Sequence, residues 1–144
     1  MDEILLKLLP HRPPMLLIDE VIEVDAESAV VAKTFHEGDF GTRGGLVLDS
    51  ILIECVAQAV ALLNGFNALP SGAPAARGLL VGIDGFEFVA RARTGIPLRI
   101  SCRGTDRFGP FRLADGQVEQ QGELLAKGSL KFYIAEDEGE AKTL

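Results

Sequence analysis

One acidic residue stands in the most apolar stretch of the sequence. Residues 51–63 read ILIECVAQAVALL, and Glu54 is the only charged residue among them. Because an ionised carboxylate is costly to bury, such a group gains polar partners or takes up a proton. Burial can therefore keep Glu54 protonated near neutral pH, in the form that serves as a general acid. Gln58 follows one helical turn later and can hydrogen-bond it; alternatively, both side chains only satisfy backbone groups at a buried junction.

The sequence contains two histidines, and imidazole is the usual side-chain base near neutral pH. His36 lies three residues before Asp39, at the predicted end of a strand, and is the candidate base. The alternative for His36 is an exposed position at the strand end. His11 stands in the segment His-Arg-Pro-Pro and is expected to belong to a turn, where its role is structural.

Asp39 and the pair Gly44–Gly45 are candidate substrate-binding residues, together with Gln58. Asp39 can act as a base, share a proton with Glu54, or hydrogen-bond backbone amides in a turn, and the turn is favoured. Glycines let backbone amides approach a ligand, and a helix start stabilises a developing negative oxygen. Gly44 and Gly45 precede a predicted helix, so they either help to bind such an oxygen or form an ordinary flexible connection.

One long helix and several strands must position these residues. Residues 47–66 form an apolar run without proline, which predicts a helix buried on most sides, with Asp49 or Ser50 capping its start. Residues 2–9 predict a short amphipathic helix that Pro10 ends. Segments rich in branched apolar residues predict strands at residues 15–25, 28–36, 77–90, 97–106, 111–121 and 123–134. The pattern indicates an α+β fold in which an antiparallel sheet of about six strands wraps around one long central helix.

A chain of 144 residues with 47% hydrophobic residues fits one ordered domain. We expect this domain to span residues 1–135 and an acidic, disordered tail to follow at residues 136–144. The formal net charge of −7 disfavours nucleic acid as a partner. It would also repel an acidic carrier protein, so docking such a carrier needs a local basic patch, which Arg91 and Arg93 could provide.

The two cysteines, Cys55 and Cys102, show no metal-binding spacing and fit a reducing cytoplasm. No phosphate loop, zinc spacing, serine triad or dinucleotide fingerprint is present in the sequence, so we expect neither a metal nor a nucleotide cofactor. The N-terminal residues lack the basic start and extended apolar region of a signal peptide. Residues 46–63 contain Asp49 and Glu54, which argues against a membrane span.

Five segments give the chain a family likeness. LLPHRPPMLLIDEVIEVD, GDF, IECVAQA, LLVGIDGFEFVARARTG and GELLAKGSLKF occur in the order found in the β-hydroxyacyl-acyl-carrier-protein dehydratases. The chain also resembles the dehydratase-like proteins of aryl-polyene pathways, and the likeness covers roughly residues 3–134. The resemblance implies a hotdog fold and a homodimer whose active sites lie at the subunit interface.

The resemblance also implies a site chemistry. In these dehydratases a histidine in a Gly-His-Phe-Pro motif works with a helix glutamate, and a backbone amide near the helix start polarises the thioester carbonyl. Glu54 matches the glutamate, but the triplet here is Gly38-Asp39-Phe40, so Asp39 stands where the histidine is expected. We therefore expect a dehydratase-like lyase acting on 3-hydroxyacyl thioesters of an acyl carrier protein. The alternatives are a catalytically inactive binding or assembly subunit and an acyl thioesterase.

Overall fold

The computed structural model describes residues 3–72 and 77–135. Its helices are α1 (Glu3–Leu8) and α2 (Asp49–Ala68), with a 3₁₀ turn at Leu69–Ser71. Its strands are β1 (Glu20–Val24), β2 (Ser28–Lys33), β3 (Thr42–Arg43), β4 (Leu46–Val47), β5 (Arg77–Phe88), β6 (Ala92–Arg93), β7 (Leu98–Phe108), β8 (Phe111–Gln120) and β9 (Glu123–Ala135). The predicted acidic tail at residues 136–144 lies outside the described residues.

Six strands form one antiparallel sheet in the order β1-β2-β7-β8-β9-β5. The central helix α2 packs against the inner face of this sheet, closely enough that a Cβ added at Gly116 of β8 would overlap the side chain of Val56. Ten residues of α2 are buried. Because the sheet covers so much of the helix, the helix is apolar around most of its circumference, and the predicted arrangement of about six strands around one long helix is confirmed.

The segment Asp49–Ser71, which includes α2, is long and apolar enough to cross a membrane by length and composition. More than half of its most apolar window is buried inside the domain. The core helix of a globular domain passes the same test, and the packing of α2 on the sheet accounts for its apolar composition.

Two details differ from the sequence predictions. A second sheet of three short strands, in the order β3-β4-β6, lies at positions where the sequence predicted no strand. Strands of two residues have no periodicity that a sequence pattern can display. The N-cap of α2 is Leu48, in extended conformation and without a side-chain cap, so the prediction that Asp49 or Ser50 caps the helix is wrong.

A compact turn connects α1 to the segment that precedes β1. The guanidinium of Arg12 donates hydrogen bonds to the carbonyl oxygens of Leu6, Leu9 and His11, at 3.1, 2.9 and 2.7 Å. Since the last carbonyl groups of a helix lack partners within the helix, a cation that binds them stabilises the helix end. Arg12 thus holds the turn in which His11 stands.

Candidate active site

Glu54 projects from the second turn of α2, and 36% of its side chain is accessible. The burial that its apolar neighbours in the sequence predicted is therefore only partial. Its Oε1 accepts a hydrogen bond of 3.1 Å from Nε2 of Gln58. The spacing of four residues predicted this contact, and the structure confirms it. The carboxyl group is therefore bound to the domain through one oxygen while part of it remains open to the surroundings.

The side chain of Gln58 is 1% exposed, and two backbone groups determine the orientation of its amide. Its Oε1 accepts from the N–H of Leu17 at 2.8 Å, and its Nε2 donates to the carbonyl of Met15 at 2.7 Å. An N–H can only donate and a carbonyl can only accept, so the amide cannot be reversed. Gln58 must therefore present an N–H to Glu54.

This orientation distinguishes the two oxygens of Glu54. Oε1 receives the amide hydrogen, and the carbonyl oxygen is the better acceptor in a protonated carboxyl group. A proton taken up by this carboxyl group accordingly belongs on Oε2. Oε2 has no hydrogen-bond partner within residues 3–72 and 77–135, so it is the oxygen available for transferring a proton to a ligand.

His11 faces the same carboxyl group. Its Nε2 lies 3.9 Å from Oε1 of Glu54, beyond hydrogen-bond distance, and 27% of its side chain is exposed. Its Nδ1 is buried and has no hydrogen-bond partner in the described part of the chain. The imidazole therefore approaches an ionisable group while making no hydrogen bond to the turn that carries it.

His36 and Asp39 form a turn of their own before β3. The backbone N–H of His36 donates to Oδ2 of Asp39 at 2.8 Å, and the N–H of Asp39 donates to the carbonyl of His36 at 3.0 Å. The His36 residue is exposed, and no ion pair joins it to Glu54 among the residues described. The carboxylate of Asp39 thus stabilises a local turn, the conformation that its sequence favoured.

Gly44 and Gly45 are the two central residues of a hairpin that joins β3 to β4. Their φ angles are +58° and +78°, as a two-residue hairpin with both central residues left-handed requires. From the sequence, this pair could either approach a ligand or form a flexible connection. The observed hairpin is a tight turn that ends three residues before the helix N-cap, and it fixes the path of the chain into α2.

Neither cysteine has the properties of a nucleophile. Burial raises the pKa of Cys55 and of Cys102 to about 12, so both are thiols at neutral pH and the reactive thiolate is scarce. Cys55 is 0% exposed and packs as a small apolar side chain next to Glu54. The site therefore depends on carboxyl, amide and imidazole groups.

Two cavities differ in their relation to this site. A groove of about 510 Å³ crosses the sheet between Arg103 and Lys127, and none of its lining residues belongs to the candidate site. A second cavity, of about 460 Å³, is lined by Leu17 and Asp39 among others, so it adjoins the segment that Gln58 holds. Of the candidate site residues, only Asp39 lines this second cavity. In the described chain, no group of three or more His, Cys, Asp or Glu side chains is arranged to hold a metal ion.

Sequence reasoning placed Glu54 and Gln58 together but did not foresee the approach of His11 to Glu54. These two residues are 43 positions apart, and no local spacing encodes the contact. Sequence reasoning also missed Gln120, which is 2% exposed and binds the backbone of Arg93 and Ile96. A glutamine in a predicted strand gives no sign that it will be buried.

Comparison with known proteins connects this geometry to a family. The model of the ApeP-like family, described as ApeP dehydratase, matches residues 4–143. A 3-hydroxyacyl-[acyl-carrier-protein] dehydratase FabZ from Anaeromyxobacter dehalogenans is 32% identical over 140 residues, which are 92% of this chain and 88% of that protein. The FabZ of Burkholderia mallei is 32% identical over 134 residues, 84% of this chain and 86% of that protein.

Solved structures share the architecture. "The Dehydratase Heterocomplex ApeI:P" from Xenorhabdus doucetiae matches with a TM-score of 0.84 at 22% identity, over 96% of this chain and 95% of that chain. A hypothetical thioesterase from Streptococcus pneumoniae, solved with coenzyme A, matches with a TM-score of 0.67 at 12% identity, over 81% and 84% of the two chains. At these identities the likeness shows the fold alone, and that fold is the hotdog fold expected from the sequence.

The sequence resemblance is thus confirmed by a family match that covers almost the whole chain and by the shared architecture. The departure at Asp39 does not remove the chain from this group, and the protein belongs to the ApeP-like dehydratase family.

Proposed function

We propose that this protein removes water from a 3-hydroxyacyl thioester carried by an acyl carrier protein. The curated relatives are named for this reaction, and the family is described as a dehydratase family. The observation that carries the proposal is the hydrogen bond of 3.1 Å between Gln58 and Oε1 of Glu54. It leaves Oε2 as the oxygen that can protonate a leaving group.

The reaction requires three groups. A base removes a proton from the carbon next to the thioester carbonyl, and Glu54 gives its proton to the hydroxyl on the neighbouring carbon. The carbon–oxygen bond breaks, and the products are a 2-enoyl thioester and water. Negative charge that develops on the thioester oxygen needs fixed donors. The start of α2 lacks a side-chain cap, which supports a role for backbone amides there, beside Gly44 and Gly45, as those donors.

The turn before β3 carries His36, one of the two histidines that could supply the base, and Asp39, which borders a cavity. The sequence nominates His36 as the base. Since the described chain contains no contact between His36 and Glu54, that role requires the two residues to meet across a subunit interface. Asp39 lines the cavity of about 460 Å³, which supports a substrate-binding position for it.

A homodimer is part of the proposal, and the two edges of the sheet support it. At the edge strand β1, Glu20 and Glu23 are exposed, and charges of this kind protect an edge from pairing. The other edge strand, β5, is 12 residues long and exposes Leu79, Val81 and Ile83 by 51 to 53%. A long apolar edge is a template for another strand. We therefore expect a second subunit to pair along β5, and V81K and I83K to convert a dimer to a monomer in sedimentation.

The carrier protein is proposed to dock beside the start of α2. Arg91 and Arg93 are exposed there, and Nε of Arg91 lies 3.8 Å from Oδ1 of Asp49. The net charge of the chain is −7, so an acidic carrier needs a local cluster of cations to approach. Replacing both arginines by glutamate should raise KM for a carrier-bound substrate and leave KM for a small-molecule thioester unchanged.

The cytoplasm is the proposed location. Cys55 and Cys102 are free and buried, and persistent thiols suit a reducing compartment.

Turnover by the purified protein tests the function. We expect conversion of 3-hydroxyacyl carrier thioesters to enoyl thioesters, measured by mass spectrometry over a range of chain lengths. E54Q should lower kcat by about 10²–10⁴-fold, the usual contribution of a general acid. The exposed residue Glu123 provides a matched control, because E123Q makes the same chemical change on the surface and should retain full activity.

Other products would identify the other functions. Release of the free acid instead of the enoyl thioester would identify a thioesterase. Absence of turnover at every chain length, together with a stable complex with a catalytic homologue from native cells, would identify an assembly subunit. Either result would replace the proposed dehydratase.

A further inference from the structure

His11 is not explained by a structural role in its turn. Arg12 supplies the side-chain hydrogen bonds that hold this turn. Neither ring nitrogen of His11 makes a hydrogen bond within residues 3–72 and 77–135, and Nδ1 is buried. A buried polar atom without a partner calls for an explanation, and a catalytic role is one of the established explanations.

The contact that His11 does make is with the proposed acid. Its Nε2 lies 3.9 Å from Oε1 of Glu54. The proton and the hydroxyl removed in a dehydration are on neighbouring carbons, so the base and the acid must stand side by side without blocking each other. A separation of 3.9 Å between the two side chains is too long for a hydrogen bond and short enough for both to reach one substrate.

Gln58 holds both members of this pair. Through Met15 and Leu17 it fixes the segment that follows the His11 turn, and through Nε2 it fixes Glu54. Arg12 binds the carbonyl oxygens of Leu9 and His11 in the turn itself. The relative position of His11 and Glu54 is therefore set by hydrogen bonds within one chain.

We propose that His11, and not His36, is the general base that works with Glu54, an inference that rests on the proposed function. Nε2 of His11 takes the proton from the carbon next to the carbonyl, and Glu54 gives its proton to the departing hydroxyl. The enoyl thioester and water leave, the His11 imidazolium releases its proton to solvent, and Oε2 of the Glu54 carboxylate takes up a proton from solvent. The pair returns to its starting state, and no other reactant is required.

Substitution of the two histidines separates the candidates. H11Q should lower kcat by about 10²–10⁴-fold, with little change in KM or in the melting temperature, while the matched variant H36Q keeps the native kcat. Native kcat in folded H11Q, or loss of activity confined to H36Q, would overturn the assignment. Native protein that shows no turnover would refute the proposed function itself, whereas native turnover with unaffected H11Q refutes only the role of His11.

A spectroscopic test needs no variant at the site. A base at Nε2 requires the single proton of the neutral ring on Nδ1. We expect the nitrogen-15 chemical shifts of His11 to report this tautomer in the native protein at a pH where the ring is neutral. A ring with its proton on Nε2 would contradict the proposal, even if H11Q failed to fold.

Hybrid dimers test whether the pair lies in one chain. Differently tagged H11Q and E54Q subunits can be co-expressed, and the mixed dimer can be isolated by both tags. No subunit of this dimer holds both residues, so we expect it to be inactive. Turnover by the mixed dimer would show that Glu54 works without a His11 in the same chain. That result would overturn the inference.

Discussion

Gln58 and Gln120 are buried to almost the same extent, 1% and 2% exposed, and each makes three hydrogen bonds. All three bonds of Gln120 go to backbone groups, which attach Arg93 and Ile96 to the end of β8. Gln58 makes two bonds to the backbone and the third to Glu54. Both residues satisfy the hydrogen bonds of a buried amide, but only Gln58 binds an ionisable side chain.

The comparison separates two uses of a buried amide. A fully satisfied amide fixes two chain segments relative to each other, because an unpaired buried group would be costly. At Gln120 the segments are the end of β8 and the stretch from Arg93 of β6 to Ile96, which precedes β7. At Gln58 they are α2 and the segment that follows the turn of His11, so a buried amide of the same kind also sets the geometry of the candidate site.

The largest effect is expected for Q58L. This change leaves the N–H of Leu17 and the carbonyl of Met15 without their partner, so the free energy of unfolding should fall by about 3 kcal/mol. Loss of the fixed position of Glu54 should also lower kcat by about 10²-fold. Urea denaturation and turnover measure the two effects. Native kcat in folded Q58L would show that the amide does not position the acid.

We expect Q120L to lower the free energy of unfolding to a similar extent without lowering kcat. The change removes the bonds to Arg93 and Ile96, which are less deeply buried, and should lower the free energy of unfolding by about 2 kcal/mol. The value of kcat should stay close to native. The half-buried Gln117 binds the side chain of Glu119 instead, so Q117L is the control and should change stability by about 0.5 kcal/mol or less. A large fall in kcat for Q120L would contradict the distinction between the two glutamines, of which only Gln58 is expected to affect catalysis.

G65A tests the docking of the helix that precedes the His11 turn. A Cβ at Gly65 would lie 2.7 Å from the carbonyl oxygen of Leu8, so α1 must move, at a cost of about 1–3 kcal/mol. A smaller fall in kcat than for Q58L should accompany this cost, since Gln58 still holds Met15. At Gly104 the nearest atom to an added Cβ is 3.9 Å away, and G104A should be tolerated. Equal melting temperatures for G65A and G104A would contradict this account.

The smallest effect is a change in thiol reactivity. Since burial raises the pKa of Cys55 and Cys102 to about 12, both thiols should resist alkylation by iodoacetamide at pH 8 and react as the pH approaches 12 or on unfolding. Sγ of Cys55 lies 3.9 Å from the carbonyl oxygen of Leu17. Q58L should therefore increase the alkylation rate of Cys55 above that of Cys102, and Q120L should not, as peptide mass mapping can show.

The sequence was informative where local pattern determines structure. The apolar run of residues 47–66 predicted α2, and the spacing of four residues predicted the bond from Gln58 to Glu54. The turn at Asp39 also formed as its sequence favoured, since its hydrogen bonds join residues three apart.

Features that depend on distant parts of the chain were not predictable in this way. Gly44 and Gly45 form a hairpin within a small sheet whose third strand, β6, comes from a part of the chain almost 50 residues later. The approach of His11 to Glu54 joins parts of the chain that lie far apart in the sequence, and no residue near His11 marks that contact. The role of either histidine stays a prediction.

The fixed orientation of the Gln58 amide has one more consequence. Because Leu17 and Met15 impose it, the donor facing Glu54 is in place before any ligand binds. No side chain has to rotate or exchange its partners when charge shifts during catalysis, so the reorganisation energy of this half of the site is small. Folding therefore positions the acid before the substrate binds, and each turnover begins from the same arrangement.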